Sequence, residues 1–193
     1  MQNSKLRMAI VGAGLWGEAH ASIYNEHPNA EPVAICDLDK PKAEAFAKKF
    51  GIAEVYTDYA EMFKKSSCDG VAIVTPDFLH ADIAIAAAKA GKHMIIEKPL
   101  ATNAADARDI VTEAAAFGRQ VVVPYGWNFK PFSERAAELV ASGAIGKVEH
   151  VVLQMASALG DLMAGQPMKE TEGAMFRPPA STWRAKRPPS AGP

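Results

Sequence analysis

Short apolar runs alternate with longer amphipathic segments along the first 125 residues of the chain. The apolar runs are rich in β-branched residues and suit strands buried on both faces, whereas the segments between them have helical spacing. The alternation is typical of parallel βαβ units and predicts an α/β fold, a sheet with helices on both faces. The predicted strands are residues 8–11, 32–36, 55–56, 71–74, 93–96 and 120–123, and the predicted helices are residues 15–27, 41–50, 59–65, 81–90 and 104–117.

The pattern changes in the last third of the chain. Residues 133–141 predict a helix and residues 147–156 a long strand, whereas residues 165–193 are rich in proline, glycine and charge and predict a loop. One helix and one strand are too few to bury a core. We therefore expect a complete first domain over residues 1–124 and the beginning of a second, incomplete domain over residues 125–193.

Composition narrows the class of protein. The chain has 193 residues, of which 49% are hydrophobic, and its net charge is −1. This is enough for one domain with a sizeable core, or for one domain and part of another. A charge so near zero gives no electrostatic reason to expect binding to nucleic acid or to an anionic membrane surface.

The cysteines and the amino-terminal segment bear on the compartment. Cys36 and Cys68 are not in a C-x-x-C or other metal-ligand spacing, so we expect buried free thiols in a reducing cytoplasm and no metal site. The first apolar run breaks into glycines after a few residues, which is too short for a signal-peptide core or a membrane span. These features favour a cytoplasmic protein.

The motif GAGLWG, residues 12–17, follows the first predicted strand and opens the first helix. In that setting G-x-G-x-x-G is typical of dinucleotide binding. Gly12 permits the tight turn, Gly14 lets the backbone approach a pyrophosphate, and Gly17 allows close packing of helix on strand. The helix N-terminus at Leu15 and Trp16 offers unpaired N–H groups and a partial positive charge to phosphates. A glycine turn without a ligand is the alternative.

An acidic residue, Asp37, ends the second predicted strand. In a dinucleotide site it would accept hydrogen bonds from the adenosine ribose and repel a 2′-phosphate, which favours NAD over NADP. Lys40 and Lys42 lie close by in the sequence and would soften that preference, so NADP is the alternative cofactor.

The fourth and fifth predicted strands also end in functional candidates. Thr75 and Pro76 end the fourth strand, and His80 follows at the start of the next helix. Glu97 and Lys98 end the fifth strand at the same edge of the sheet, where ligands bind in open parallel sheets. There a lysine can stabilise a developing alkoxide or share a proton. The alternatives are a helix-start role for His80 and a surface lysine paired with Glu97.

Together these motifs resemble one family. GAGLWG, Asp37, TPDFLH, AGKHMIIEKPL and the later SGAIGKV are similar to the glucose–fructose oxidoreductase, inositol dehydrogenase and MocA-like family over residues 8–156. The resemblance implies a Rossmann doubly wound parallel sheet followed by the start of an open-faced α/β substrate domain. It also implies NAD(P)-dependent oxidation or reduction of a hydroxyl or carbonyl on a sugar, cyclitol or related polyol. A homo-oligomer is implied for the full-length protein.

The resemblance further implies roles for single residues. In the family the lysine of the E-K-P motif lies beside nicotinamide and substrate, so the resemblance implies that Lys98 is the catalytic residue here. The implied neighbours of the cofactor at this edge are Thr75, Pro76, His80 and Glu97. The implied substrate contacts are Trp127, Asn128 and Lys130 in the crossover YGWNFKPF, and Arg184 in the loop STWR. For Trp127, packing between the domains is the alternative role.

This sequence also departs from the family pattern. Family members are longer, and the aspartate and histidine of their second domain have no counterpart here. A fragment of a longer protein, a natural truncation and completion of the sheet by another chain are three explanations. Two functions therefore remain open: an oxidoreductase for a sugar-like substrate, and a non-catalytic dinucleotide-binding module that acts as a sensor or binds a partner.

Overall fold

A computed structural model describes residues 5–154 of the chain. Within that range strands and helices alternate, as the pattern of apolar residues predicts. The strands are β1 (Leu6–Val11), β2 (Ala30–Cys36), β3 (Glu54–Tyr56), β4 (Gly70–Ile73), β5 (His93–Ile96) and β6 (Val121–Val122). The helices are α1 (Leu15–Glu26), α2 (Lys40–Phe50), α3 (Tyr59–Lys65), α4 (His80–Lys89), α5 (Ala104–Ala116) and α6 (Pro131–Ala141).

The strands form one sheet in the order β3-β2-β1-β4-β5-β6, with each neighbouring pair parallel. The chain builds outward from β1 to β3, returns to the centre at β4 and builds outward again to β6. All the strands therefore end at the same side of the sheet, here called the carboxyl edge, and the order reverses between β1 and β4. Such a reversal opens a crevice above the strand ends, which is where open α/β sheets bind ligands.

Helices cover both faces of the sheet, because alternate side chains of a buried strand point to opposite faces. Met8 and Ile10 of β1 pack in a core with residues of α1 and α2. Ala9 and Val11 pack in a second core with residues of α3, α4 and α5. All four side chains are buried. The doubly wound parallel sheet expected from the sequence is confirmed.

The strand and helix bounds differ from the predicted ones by a few residues. β2 begins at Ala30, two residues before the predicted strand, and its pairing with β1 shifts register between Met8 and Ala9. Pro32 pairs with Met8, whereas Ala34 pairs with Ala9, so one extra residue bulges near the proline. A bulge accommodates proline because its nitrogen cannot donate to the ladder.

The chain divides into two compact units between Pro124 and Tyr125. In the described part of the second unit, a 3₁₀ turn over Gly126–Phe129 precedes α6. This helix begins at Pro131, two residues before the predicted start, since proline suits the first helical position and loses no internal hydrogen bond there.

The strand predicted over residues 147–156 is wrong for the part that can be described. Residues 147–154 form no strand in the structure of residues 5–154. Their alternating apolar residues are exposed, and Leu153 is 89% accessible. A strand is stable only when a neighbour satisfies its N–H and C=O groups, and an apolar pattern alone does not supply that neighbour. Residues 155–156 and the predicted loop over 165–193 lie outside the described residues.

Between residues 5 and 154, no helix combines the length and the apolar character needed to cross a membrane.

Candidate functional site

The glycine turn, residues 12–17, leads from the end of β1 into α1. Gly12 has φ = +112°, and its N–H donates to the carbonyl oxygen of Cys36 over 2.8 Å. A Cβ at Gly12 would lie 2.9 Å from the carbonyl oxygen of Val74, just beyond β4. Both the backbone conformation and the lack of space therefore require glycine at this position.

The other two glycines of the motif have opposite surroundings. A Cβ at Gly17 would overlap the carbonyl oxygen of Gly12, so the missing side chain lets α1 pack against the turn. A Cβ at Gly14 would meet nothing within 4 Å. Gly14 is also the N-cap of α1 and offers no side chain to the first N–H groups of the helix, at Leu15 and Trp16. The backbone at Gly14 is thus open to an anionic group approaching the helix N-terminus.

The carboxylate of Asp37 ties the end of β2 to the glycine turn. Its Oδ2 accepts from the N–H of Ala13 over 2.8 Å and from Lys42 Nζ over 3.1 Å. Its Oδ1 accepts from the N–H of Asp39 over 3.0 Å. The Asp37 side chain is 15% exposed, so it is oriented by three donors and still reachable. Two lysines lie near Asp37 in the sequence. Lys42 pairs with Asp37, whereas Nζ of Lys40 lies 3.8 Å from Oε1 of Glu44.

His80 connects the segments that follow β4 and β5. Its ring is 1% exposed, with Nε2 lying 3.0 Å from the carbonyl oxygen of Thr75 and Nδ1 lying 2.9 Å from that of Pro99. Each ring nitrogen faces a backbone carbonyl oxygen, to one of which a neutral imidazole can donate, so the geometry favours holding the two segments together over touching a ligand. Pro76 is the N-cap of the short 3₁₀ turn over Asp77–Leu79, between β4 and α4.

Glu97 and Lys98 leave β5 in different directions. The N–H of Glu97 donates to the carbonyl oxygen of Ile73 over 3.0 Å, which continues the sheet pattern beyond β5. Lys98 is exposed, and its Nζ lies 5.3 Å from the centre of the Trp16 ring, within the range of a cation–π contact. The peptide bond between Lys98 and Pro99 is cis. The ammonium thus lies over the first turn of α1, while Glu97 turns towards the interior.

The buried carboxylate of Glu97 has two partners. His20 Nε2 lies 3.5 Å from Oε1, and the N–H of Lys98 lies 3.3 Å from Oε2. Burial raises the pKa of Glu97, but the contact with His20 and the N–H and charge of Lys98 outweigh it and hold the pKa below its ordinary value. On the far side of the imidazole, His20 Nδ1 lies 3.0 Å from the hydroxyl of Tyr24. Burial, and then the charge of Glu97, raise the pKa of Tyr24.

His20 and Tyr24 are functional candidates that sequence reasoning missed. A signal was present, because Trp16, His20 and Tyr24 recur every fourth residue and therefore share one face of α1. The sequence did not show that this face meets the end of β5, since that proximity depends on the packing of α1 against the sheet.

The predicted substrate residues lie in the second unit. Trp127 and Asn128 belong to its 3₁₀ turn, and Lys130 caps α6. All three are exposed, Trp127 to 63%, and the Trp127 ring contacts Phe132 edge-on with ring centres 5.9 Å apart. Arg184 lies outside the described residues.

The residues at the carboxyl edge fit a dinucleotide. The glycine turn leaves open space at Gly14, the N-terminus of α1 has no side-chain cap, and a carboxylate stands at the end of β2. Within residues 5–154, Thr75 Oγ1 is a buried hydroxyl oxygen without a hydrogen-bond partner, which leaves it available to a ligand atom. In the same range, no group of three or more His, Cys, Asp and Glu side chains is arranged to hold a metal ion.

Known proteins are similar in sequence to most of this chain. D-glucoside 3-dehydrogenase of Escherichia coli strain K12 is 32% identical over 149 residues, covering 77% of this chain and 42% of its own length. D-xylose 1-dehydrogenase (NADP(+)) 2 of Haloferax volcanii is 34% identical over 154 residues, covering 80% of this chain and 46% of its own length. The chain thus spans less than half the length of these curated relatives.

A solved structure and a family description agree with this likeness. The crystal structure of scyllo-inositol dehydrogenase from Lactobacillus casei with bound cofactor NAD(H) and scyllo-inositol has a TM-score of 0.71 at 25% identity, covering 75% of this chain and 43% of that one. Residues 6–125 match the Gfo/Idh/MocA family, described as an oxidoreductase family with an NAD-binding Rossmann fold. Because the match takes in the whole sheet and the glycine turn, the chain belongs to the Gfo/Idh/MocA oxidoreductase family.

Proposed function

We propose that the complete protein is an NAD-dependent oxidoreductase that acts on a hydroxyl or carbonyl group of a sugar, cyclitol or related polyol. One observation carries the proposal: the open glycine turn, the carboxylate of Asp37 and the ammonium of Lys98 all lie at the carboxyl edge of one parallel sheet. The glycine turn and Asp37 suit a dinucleotide, and Lys98 adds a group that can act on a reacting oxygen.

Several groups would hold the cofactor. Gly12 and Gly17 shape the turn, and the backbone from Gly14 through Leu15 and Trp16 would face the pyrophosphate. Thr75, Pro76 and Glu97 stand where β4 and β5 end and would border the nicotinamide. His80 would act there through the backbone of Thr75 and Pro99, whose carbonyl oxygens its buried ring faces.

The choice between NAD and NADP would rest on Asp37. Its charge suits the two hydroxyls of a ribose and opposes a 2′-phosphate, while Lys42 at 3.1 Å offsets part of that charge. We expect Asp37→Ser to weaken NADH binding about tenfold and to raise the NADPH-to-NADH affinity ratio at least about tenfold, roughly the effect of one ionic contact. Fluorescence titrations with each reduced cofactor measure both effects.

A second substitution controls for the released lysine. With Asp37 gone, Lys42 is free to pair with a 2′-phosphate, so Asp37→Ser combined with Lys42→Met should lose the gain in NADPH affinity. If Asp37→Ser alone leaves the preference unchanged, Asp37 does not set the cofactor choice.

Lys98 would carry the proton chemistry. The nicotinamide, when bound, supplies the hydride acceptor or donor. The Lys98 ammonium can stabilise the oxygen of the substrate as charge develops on it and can take part in moving the hydroxyl proton. Trp16 beneath the ammonium holds the charge at the edge of the glycine turn, 5.3 Å from the ring centre.

The remaining assignments follow from the division of the chain and from its relatives. We assign residues 1–124 to a dinucleotide-binding domain and residues 125–193 to the beginning of a substrate and dimerisation domain, supported by the two compact units. Trp127, Asn128, Lys130 and Arg184 are the proposed substrate contacts. Two relatives are named as dehydrogenases of a glucoside and of xylose, which supports a sugar-like substrate. We also propose that the full protein is a homo-oligomer.

The deciding experiment compares Lys98→Met with the unchanged protein against a panel of sugars and cyclitols. Loss of one charge stabiliser should lower kcat by roughly 10²-fold or more, while NADH affinity stays within about threefold. Lys89→Met, on α4 and 4.0 Å from Glu113, is the control that removes an exposed lysine elsewhere and should turn over normally. NADH binding without turnover of any substrate would instead support the non-catalytic binding module.

A further inference from the structure

We propose that His20 is a positioning residue for Lys98, acting through the carboxylate of Glu97. The inference rests on the function proposed above, because it concerns how the lysine of that site is held. His20 lies in α1, 78 positions before Lys98, and the contacts that relate them exist only in the folded sheet.

The proposal starts from two parallel contacts between α1 and the end of β5. Trp16 and His20 are four residues apart and so lie on the same helix face. Trp16 places its ring 5.3 Å from Lys98 Nζ, and His20 places Nε2 3.5 Å from Glu97 Oε1. One helix face therefore meets both members of the dipeptide, one through its ammonium and one through its carboxylate.

The hydrogen-bond partners fix which nitrogen of His20 carries the proton. Tyr24 keeps its hydroxyl proton because burial and the charge of Glu97 raise its pKa. Its hydroxyl can therefore donate to His20 Nδ1, 3.0 Å away. The imidazole then carries its proton on Nε2, directed at a carboxylate that stays ionised. Tyr24 thus donates to His20, and His20 in turn donates to Glu97.

The same carboxylate also constrains the backbone of the lysine. Glu97 Oε1 faces His20, and Oε2 accepts from the N–H of Lys98 over 3.3 Å. Both contacts are long for hydrogen bonds, but the carboxylate is buried, where water screens little of its charge. A carboxylate held at both oxygens fixes the direction in which residue 98 leaves the sheet.

Helix α1 therefore contacts both the proposed cofactor site and the residue before Lys98. The amino end of α1 belongs to the glycine turn, and one turn later the helix contacts Glu97. A movement of α1 relative to β5 would therefore displace Lys98 from the cofactor. Misplacement of a reacting group by about 1 Å can lower turnover about 10²-fold.

Two substitutions of His20 separate positioning from packing. The amide nitrogen of glutamine stands as many bonds from Cα as Nε2 does, so His20→Gln keeps a donor for Glu97. The amide of asparagine reaches only as far as Nδ1, so His20→Asn loses that donor. Both replace the ring, and both should lower the melting temperature to a similar degree.

Turnover is the first readout. We expect His20→Gln to retain kcat within about threefold and His20→Asn to lower it roughly 10- to 100-fold, while both bind NADH within about threefold of the unchanged protein. Equal kcat in the two variants would overturn the proposal. A similar loss of NADH affinity in both would also overturn it, because His20 would then support the fold rather than the lysine.

Nuclear magnetic resonance of ¹⁵N-histidine-labelled protein is the second readout and needs no substrate. At a pH of about 8, long-range ¹H–¹⁵N correlations of His20 should show the proton on Nε2, and Glu97→Gln should shift that resonance. A proton on Nδ1, or no response to Glu97→Gln, would overturn the proposal. If the unchanged protein neither binds NADH nor turns over any substrate, the proposed function fails, and these spectra still decide whether His20 contacts Glu97 as described.

Discussion

Gly14 and Gly17 lie three and six positions beyond the end of β1, and glycine suits each position for a different physical reason. Position 17 has no room for a side chain because a Cβ would overlap the carbonyl oxygen of Gly12. A Cβ at Gly14 would meet only open space. The fold itself therefore requires glycine at position 17, whereas glycine at position 14 keeps the backbone accessible to a ligand. Substituting each glycine in turn should therefore separate stability from cofactor binding.

Gly17→Ala should destabilise the protein by about 1–3 kcal/mol, the usual cost of forcing an extra methyl group into a packed interior. Gly14→Ala should leave the free energy of unfolding within about 0.5 kcal/mol of the original, because its φ of −90° suits alanine and nothing stands within 4 Å. Its Cβ would nevertheless occupy the space proposed for the pyrophosphate and should weaken NADH binding at least about tenfold. Urea unfolding and NADH titration test the pair, and a Gly14→Ala variant with normal affinity would contradict the proposed site.

The sequence could predict the glycines because their roles depend on a turn between neighbouring elements. It could not predict the setting of His80, because its two partners, the carbonyl groups of Thr75 and Pro99, lie 5 and 19 positions away. The contact between His20 and Glu97 was likewise hidden, since it spans the space between a helix and a distant strand.

At the scale of elements, helix ends were predictable because their signals are local. Asp58 is a typical N-cap residue directly before α3, and its Oδ1 accepts from the N–H groups of Ala60 over 2.6 Å and Glu61 over 3.0 Å. The strand over residues 147–156 was not predictable in the same way. Its apolar pattern satisfied the local rule, but pairing depends on a neighbour elsewhere in the fold.

The cap of α3 offers a quantitative test. Asp58→Ala leaves two N–H groups of a short helix without their acceptor and should destabilise the protein by about 1 kcal/mol. Asp58→Asn keeps an oxygen in the same place and should lose much less. Thermal and urea unfolding of the two variants measure the difference, and an equal loss in both would show that the charge of Asp58, rather than its acceptor oxygen, stabilises the helix.

For the whole molecule, the buried carboxylate of Glu97 predicts how stability depends on pH. Its pKa is lower in the folded protein than its ordinary value, so the stabilisation it brings is fully present above the unfolded pKa of about 4.3 and is lost as the pH falls through the folded pKa. The advantage of the unchanged protein over Glu97→Gln in free energy of unfolding should thus be constant near neutral pH and shrink in acid.

Urea unfolding of both proteins across this pH range measures that advantage. A difference that stays constant into strong acid would contradict the lowered pKa, because Glu97 would then keep its contribution after protonation. His20→Gln, which keeps a donor for Glu97, serves as the control and should show an acid dependence close to that of the unchanged protein.

The fold as a whole was predictable to the level of its layers, since alternating strand and helix patterns with short connections admit few arrangements.

The order of the strands adds a constraint on synthesis of the chain. β1 leaves the ribosome early, but its neighbour β4 ends only at Ile73, and Gly12 lies against Val74 just beyond it. A nascent chain that already carries the glycine motif and Asp37 therefore cannot close the turn against its neighbour. We therefore expect recognition of a dinucleotide to begin only after β4 and Val74 have emerged from the ribosome.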